Sequence, residues 1–566
     1  MARVRQSGTS GELIVRRLLR AHGIRFQVKA KNLPGTPDLV NRGVKWAIFV
    51  HGCFWHAHRG CPRWKIPKSN SSFWREKFRQ NLARDERKRK ELKKLGYSVL
   101  TIWECEIKQE TRGQNKILNF INRSQPVEEQ NEASKSHIDP DATPKLLPPP
   151  RETYHYTDSG RYVSRLVMLN DREKAAKRLY TRTLEYDTDS GRVFDRAYLR
   201  LSKRSESNTD GPSVRIADLF SGCGGLSLGT QEACSALGHR FKPLLAIDND
   251  VESLSVYKSN FNPATAHTGD IRRFIDGKLG DSPTVNEKML LRNLKNLDIL
   301  LAGPPCQGHS DLNNHTRRKD RRNGLYERTG RFAEIARPTH ILIENVPNVV
   351  HAHDRALDRT IEHLLGIGYD VDTGIVDLSE LGVPQRRRRH VLVASLGKFI
   401  SVKEVCARYR VSNVRTVRWA ISDLEREEPG FIFTEPGKHS KENSRRINYL
   451  FEHDFYDLPD RFRPPCHRNG HTYKSMYGRM KYDEPSQTIT SGFGCPGQGR
   501  FIHPTKRRAL TPHEAARLQF FPDYFDFTAV KTRSALANMI GNAVPMKLAY
   551  VFCLEFLLAQ SSKRLR

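Results

Sequence analysis

The chain has 566 residues and ten cysteines, and thiols this sparse exclude a small disulfide-stapled scaffold. Ninety-five Lys and Arg against 63 Asp and Glu leave a net charge of +32, which suits a polyanionic partner and excludes an acidic, self-solvating chain. The length allows several domains with separate cores, and the most apolar stretch, Leu548 to Leu558, is too short to span a membrane and carries Glu555.

Met1 to Gly23 is basic and amphipathic without an apolar centre, so no secretory leader is expected. Pro34-Gly35-Thr36-Pro37-Asp38-Leu39-Val40 sets an acid at the start of a strand. A second strand, Trp46 to Val50, runs into His51-Gly52-Cys53-Phe54-Trp55-His56-Ala57-His58-Arg59-Gly60-Cys61. A third, Ser98 to Trp103, ends at Glu104-Cys105. Histidines and cysteines at this density suggest metal ligation, and Cys53, His58, Cys61 and Cys105 would make a closed, structural zinc site. Metal-dependent nucleases usually follow such an acid with a second acid and a lysine on the next strand. Phe49 and His51 stand in roughly those places.

That departure is shared by one narrower family. With Thr9-Ser10-Gly11-Glu12-Leu13, Phe73-Trp74-Arg75-Glu76-Lys77 and Trp103-Glu104-Cys105, residues 1 to about 110 resemble the very-short-patch repair (Vsr) endonucleases. The family often has one residue between the positions of His58 and Cys61, where this chain has two. The resemblance implies cleavage beside the thymine of a T:G mismatch. Asp38 would bind magnesium, His56 would act as general base or acid, and His51 and Glu12 would assist. Phe54, Trp55 and Trp74 would wedge into the base stack.

Ser124 to about Tyr156 reads as a linker, with an acidic run at 128–132, Pro148-Pro149-Pro150 and few apolar residues. From Tyr156 to Ser207 the pattern is mixed. A helix is expected over Lys174 to Leu184 and a hairpin over Tyr186 to Leu201, turning at Asp189-Ser190-Gly191. No chemistry attaches to this piece.

Val214 to Phe220 is strand-like and meets the turn Ser221-Gly222-Cys223-Gly224-Gly225-Leu226, which opens a helix. The next strand, Pro243 to Ile247, ends in Asp248-Asn249-Asp250, and a third acid, Asp270, closes Thr268-Gly269-Asp270-Ile271. A glycine-rich turn with acids at successive strand ends, and no GxxxxGK[ST] loop, points to an adenosine-type cofactor without a triphosphate. Leu297 to Ala302 then leads to Gly303-Pro304-Pro305-Cys306-Gln307, and Thr339 to Ile343 leads to Glu344-Asn345-Val346. A thiol and an acid at adjacent strand ends suit attack on an electron-poor ring, with the acid protonating a ring nitrogen.

Gln385-Arg386-Arg387-Arg388-Arg389 and Gly541-Asn542-Ala543-Val544-Pro545 follow in order, and residues 213 to 560 resemble the DNA (cytosine-5)-methyltransferases. Gly308-His309-Ser310 departs from that pattern, since an aromatic often stands at the middle position. The resemblance implies S-adenosylmethionine as donor and a cytosine swung out of the duplex as acceptor. Cys306 would add to C6, Glu344 would hold or protonate N3, and Arg387 and Arg389 would approach the flipped nucleotide and its phosphate. Phe220, Gly222, Gly224, Gly225, Leu226, Asp248, Asn249, Asp270, Ile271, Pro304, Leu325, Asn542 and Ala543 would form the cofactor site. Sequence recognition is expected in the Arg-, His- and Tyr-rich insert from Lys398 to Tyr482. Its short helices, Val402 to Cys406 and Val414 to Leu424, admit either a helix-turn-helix or plain packing.

The expected fold is α/β. A small α/β nuclease domain with a structural zinc site (1–123) is followed by a linker (124–156) and a connecting segment (157–212). A Rossmann-like S-adenosylmethionine-dependent methyltransferase domain (213–397 and 485–566) holds a smaller target-recognition domain (398–484). Three function classes fit: a methyltransferase fused to a mismatch nickase, a methyltransferase with a non-catalytic DNA-binding extension, and a restriction system cutting unmethylated sites. The expected partner is double-stranded DNA, joined by other mismatch-repair or restriction proteins, with no membrane. The chain is expected to act as a monomer on DNA in the bacterial cytoplasm, at the nucleoid, because a catalytic thiol needs reducing conditions.

Overall fold

The computed structural model describes residues 10–561 except 22–23, 25, 29, 31–32, 59–60, 62–69, 108–109, 124–150, 158–160, 170–171, 182–187, 205–210, 306–323, 352–354 and 469–474. The chain divides into two compact units, Met1–Lys145 and Leu146–Arg566.

In the first unit, helix α1 (Ser10–Ala21) precedes strands β1 (Gln27–Val28), β2 (Leu39–Asn41) and β3 (Trp46–His51). Helix α2 (Ser71–Lys94) crosses over to β4 (Ser98–Trp103), followed by α3 (Glu104–Ile107) and α4 (Glu110–Arg123). The sheet order is β1-β2-β3-β4, with β3 and β4 parallel as a helical crossover requires. Val15, Leu19, Leu39, Trp46, Ile48, Ile102 and Ile117 form its core. Most of α2 is charged and exposed, but Phe78, Asn81, Asp85, Lys88 and Leu92 recur at three- and four-residue steps. Phe78, Asn81 and Leu92 of that stripe are buried.

The second unit begins with an antiparallel sheet, β5 (Glu152–Thr157), β6 (Tyr162–Leu169) and β7 (Arg172–Tyr180), and helix α5 (Ser190–Leu199). Three expectations are corrected here. Residues 152–157 are a strand rather than the end of a linker, and residues 172–180 pair with β6 rather than coil into a helix. Strand pairing overrides the helical preference of Lys, Arg and Ala. The Asp-Ser-Gly signal at 189–191 starts a helix rather than a hairpin, because Asp189 accepts the N–H of Arg192 (2.9 Å) as an N-cap.

The main sheet takes β8 (Ser213–Leu219), β9 (Arg240–Asp248), β10 (Thr265–Thr268), β11 (Ile299–Ala302), β12 (His340–Asn345), β13 (Asp370–Asp377) and β15 (Arg388–Ser395), with a two-residue strand β14 (Gln385–Arg386) between the last two. Its order is β10-β9-β8-β11-β12-β15-β13, parallel from β10 to β12 and closed by an antiparallel pair. Helices α6 (Gly225–Ala236), α7 (Val251–Phe261), α8 (Val285–Leu291), α9 (Leu325–Ala336) and α10 (Ala356–Gly366) lie in the connections. The order reverses between β8 and β11, the place where doubly wound sheets open a ligand crevice.

Helices α11 (Val402–Arg408) and α12 (Val417–Ile421) bury Val402, Val405, Val417 and Trp419 in the large core. Both helices thus pack on that core through their apolar faces. A smaller core follows around α13 (Lys441–Glu452), from Ile447, Leu450, Leu458, Tyr477 and Ile502. The chain then returns through β16 (Ser486–Gln487), α14 (Pro512–Leu518), α15 (Arg533–Asn542) and α16 (Met546–Ser561). No single helix among the described residues is long and apolar enough to cross a membrane.

Candidate functional site

Strand register builds the first site. Ile247, Leu219, Ala302 and Ile343 are paired across four neighbouring parallel strands. The residues one step further, Asp248, Phe220, Gly303 and Glu344, therefore form a row along the carboxyl edge. Phe220 (φ 58°), Gly222 (φ 53°) and Gly224 (φ 97°) all take the left-handed conformation, so the chain doubles back tightly above β8. For an aromatic residue that conformation is strained and is held only by its surroundings. A Cβ on Gly222 would project into space that no protein atom within 4 Å fills.

Gly225 and Gly229 serve a different end. A Cβ on Gly225 would lie 2.2 Å from the carbonyl oxygen of Val544, and one on Gly229 2.1 Å from that of Met546. Helix α6 and the start of α16 thus meet backbone to backbone, which brings Asn542 and Ala543 to the glycine turn. Below the turn, buried Asp218 accepts the hydroxyl of Ser227 (2.6 Å), which also meets Tyr257 (2.8 Å); burial pushes the Asp218 carboxyl up to about 7.

Asp248 accepts the backbone N–H of Gly222 (2.7 Å) and of Asp250 (2.9 Å). Burial raises its carboxyl, and those donors oppose the rise. Each oxygen keeps a lone pair for a ribose hydroxyl. Asp270 caps the short turn Ile271–Arg273 and pairs with Arg272. Leu226, Ile271, Pro304, Leu325 and Ala543 are buried, while Asn249 and Asn542 are exposed. The open cradle at Gly222, the left-handed turn and the carboxylate beside it fit an adenosine-type cofactor.

Glu344 is buried, and Nε of Arg389 lies 2.6 Å from its Oε1. Asn345 donates to the carbonyl of Pro304 (3.2 Å), tying this strand end to the Pro-Pro turn. Cys306 and Gly308-His309-Ser310 lie outside the described residues. Arg387 is buried and donates to the carbonyls of Ile489 (2.9 Å) and Ala543 (3.0 Å). Its guanidinium braces the returning chain against the sheet, while Arg389 pairs with Glu344.

In the first unit, Asp38 accepts the N–H of Val50 (2.8 Å), and His51 ends the adjacent strand. Burial lifts Asp38 to about 6; the Val50 N–H opposes the rise, and the negative charge of Glu12 adds to it. Buried Glu12 pairs with Arg16 at 2.9 Å. A buried acid with a second acid nearby fits a divalent cation. The rings of His51 and His56 stack at 3.8 Å, and His56 Nδ1 lies 2.5 Å from Asp85. Burial and the neighbouring His56 hold His51 down near 3. Asp85 was missed in the sequence. Its signal was the α2 stripe, where polar Asn81 and Asp85 replace apolar residues. Asn81 donates to the carbonyl of Trp55 (3.0 Å), so the stripe grips the loop carrying His56.

Cys53, His58, Cys61 and Cys105 bring their ligand atoms within 4.8 Å of one another. Burial and the neighbouring thiols of Cys53 and Cys61 push Cys105 up to about 12, a crowding that a cation would relieve. Three thiols and one imidazole fit zinc. Phe54, Trp55 and Trp74 form a mutual ring cluster seated on buried Phe78, with Trp55 38% exposed.

The second unit is a doubly wound α/β fold with an open glycine turn beside its switch point and, one strand further on, a carboxylate, Glu344, paired with Arg389. Residues 214–555 match the family described as C-5 cytosine-specific DNA methylase, and residues 1–63 match the DNA mismatch endonuclease Vsr. The chain belongs to the C-5 cytosine-specific DNA methylase family, and a Vsr domain stands at its amino-terminal side. Among relatives, the Type II methyltransferase M1.BsuMI of Bacillus subtilis (strain 168) is 46% identical over 364 residues, which is 64% of this chain and 85% of that one. The Type II methylase M.HgiDII of Herpetosiphon aurantiacus is 31% identical, covering 62% of this chain and 95% of its own. The Type II nicking enzyme V.XorIIP of Xanthomonas oryzae pv. oryzae is 40% identical over 124 residues, 22% of this chain and 90% of that one. The methylase family implies DNA as substrate and S-adenosylmethionine as methyl donor.

Proposed function

We propose that this chain methylates C5 of cytosine within a specific duplex sequence and nicks DNA at T:G mismatches left by deamination of 5-methylcytosine. The observation that carries the pairing is the meeting of Asp38, His51, His56 and Asp85 beside a four-ligand Cys/His cluster. A domain that only bound DNA would have no use for a catalytic dyad. Deamination of plain cytosine gives uracil, which is foreign to DNA, whereas 5-methylcytosine gives thymine. One activity therefore creates the lesion the other opens for repair. Joining them in one chain raises the effective concentration of each at the other's site.

In methyl transfer, the Cys306 thiolate bonds to C6 of the extruded base, placing electron density at C5. Glu344, oriented by Arg389, holds or protonates N3. S-adenosylmethionine, when bound, would supply an electrophilic methyl group, and Phe220, Gly222, Asp248 and Asp270 would hold the donor. Loss of the C5 proton then expels the Cys306 sulfur. The insert around the small core reads the target sequence.

In nicking, Asp38 with Glu12 nearby would hold magnesium, which polarises the scissile phosphate. Asp85 fixes His56 through Nδ1 and leaves Nε2 for proton transfer, with His51 stacked against it. Cys53, His58, Cys61 and Cys105 would hold zinc and so fix the loop that carries His56. Phe54, Trp55 and Trp74 insert beside the mismatch, each stack worth about 1–3 kcal/mol.

The test incubates T:G-mismatched and fully paired duplexes with magnesium, using wild type, Asp38→Ala and Cys306→Ser. Nicking of the mismatch alone, lost in Asp38→Ala and kept in Cys306→Ser, is the expected result. Cutting of paired, unmethylated duplex would instead make the first unit a restriction nuclease. Loss of both activities together in either variant would sink the division of labour.

A further inference from the structure

Residues 152–200 lie upstream of the family's matched segment, yet they bury charge against it. The sheet meets helix α6 through one acid: Glu232 accepts from Arg165 (2.8 Å) and from Lys177 (2.8 and 2.9 Å). Glu232 lies seven residues beyond Gly225, about 10 Å along the helix that the glycine turn opens. Arg165 also faces Glu152 (3.7 Å), which accepts from Tyr550 of α16.

Helix α5 reaches in another direction. Asp189 pairs with Arg415 (2.7 Å), Arg200 with Asp423 (2.9 Å), and Arg196 donates to Ser422 (3.4 Å). Those partners sit where the chain leaves the main sheet for the small domain. Ser190 joins the two parts by donating to the carbonyl of Tyr154 in the sheet (2.7 Å).

A spacer has no reason to bury Arg165, Glu232 and Arg415. Buried ion pairs are poor sources of stability, since well-packed apolar side chains do as well or better. What they supply is a single allowed geometry. We propose that residues 152–200 are a strut between the cofactor helix and the root of the small domain. Arg165 and Lys177 position the cofactor turn through Glu232, while Asp189 and Arg200 position the DNA-reading insert through Arg415 and Asp423. The proposal rests on the reading of the 221–225 turn as the cofactor cradle.

The test uses the full chain with labelled S-adenosylmethionine and plasmid DNA from a methylation-deficient host. Lys177→Met keeps Glu232 paired with Arg165, so the fold persists; it raises KM for the donor about three- to tenfold and leaves KM for DNA within about twofold. Lys177→Arg restores the wild-type value. The double variant Asp189→Asn with Arg200→Met keeps the helix cap, because Asn caps as well as Asp. It shows the reverse: KM for DNA rises about three- to tenfold and KM for the donor holds. Variants that match wild type in both constants overturn the strut, as do variants that raise both together with a fallen Tm. Wild-type protein that transfers no label overturns the methyltransferase reading itself, which is a different result from either.

Discussion

The two candidate sites of this chain are held in place by different means. In the methyltransferase unit, Asp248, Phe220, Gly303 and Glu344 stand in a row because four parallel strands are in register. In the Vsr unit, Asp38 precedes β2 and His51 ends β3, while His56 and His58 lie on the loop of residues 52–58. That loop is gripped by Asn81 and Asp85 of α2 and by the Cys53, His58, Cys61 and Cys105 cluster. A site on strand ends is placed by the backbone, whereas a site on a loop needs side-chain or metal ties to reach the same precision.

Stripping whatever cation the Cys53, His58, Cys61 and Cys105 cluster holds is the strongest way to break this contrast. A chelator, or Cys105→Ser, should cost the first unit several kcal/mol and abolish nicking, with methyl transfer unchanged. Both activities assayed on one sample decide it; equal loss of the two would refute the contrast. Gly225→Ala attacks the other unit, because its Cβ would meet the Val544 carbonyl at 2.2 Å. About 3 kcal/mol of destabilisation and loss of donor binding are expected, with nicking spared, read by thermal unfolding and donor titration. Asp85→Asn should lower nicking about 10- to 100-fold with methyl transfer unchanged, because it weakens the tie that orients His56.

The smallest effect is a pH dependence confined to the second unit. Burial would lower His513, but hydrogen bonds to Asp523 (2.9 Å) and Glu427 (2.7 Å) outweigh it and raise the imidazole to about 8. The folded state therefore holds a proton that the unfolded chain releases near 6.5. This contribution, about 2 kcal/mol, is complete below pH 6.5 and lost as pH rises through 8. Urea midpoints at pH 6 and pH 9, followed by hydrogen exchange over 512–518, should fall accordingly. His513→Gln should flatten that difference.

What the sequence disclosed follows the same division. The strand ends at Asp248, Gly303 and Glu344 were legible because apolar runs stop at Gly, Pro or an acid. The four metal-type ligands were legible because three of them crowd within nine residues. Asp85 was hidden on a helix whose charges look like a solvated face, and only its stripe with Phe78, Asn81 and Leu92 marks the buried side. The burial of Arg387 was not legible, because five adjacent polar residues give no sign of which one faces inward. Residue 387 points into the protein and residues 386 and 388 point out. The β7 strand was missed because its pairing with β6 outweighs its composition.

The contact of Gly225 with Val544 also has a temporal side. The turn that opens α6 cannot close until a segment more than three hundred residues later has left the ribosome. At ordinary rates of chain elongation that delay is on the order of 20–60 s. Throughout it, the Vsr unit is already outside and free to fold, so each new molecule completes its amino-terminal unit before it completes the methylase unit.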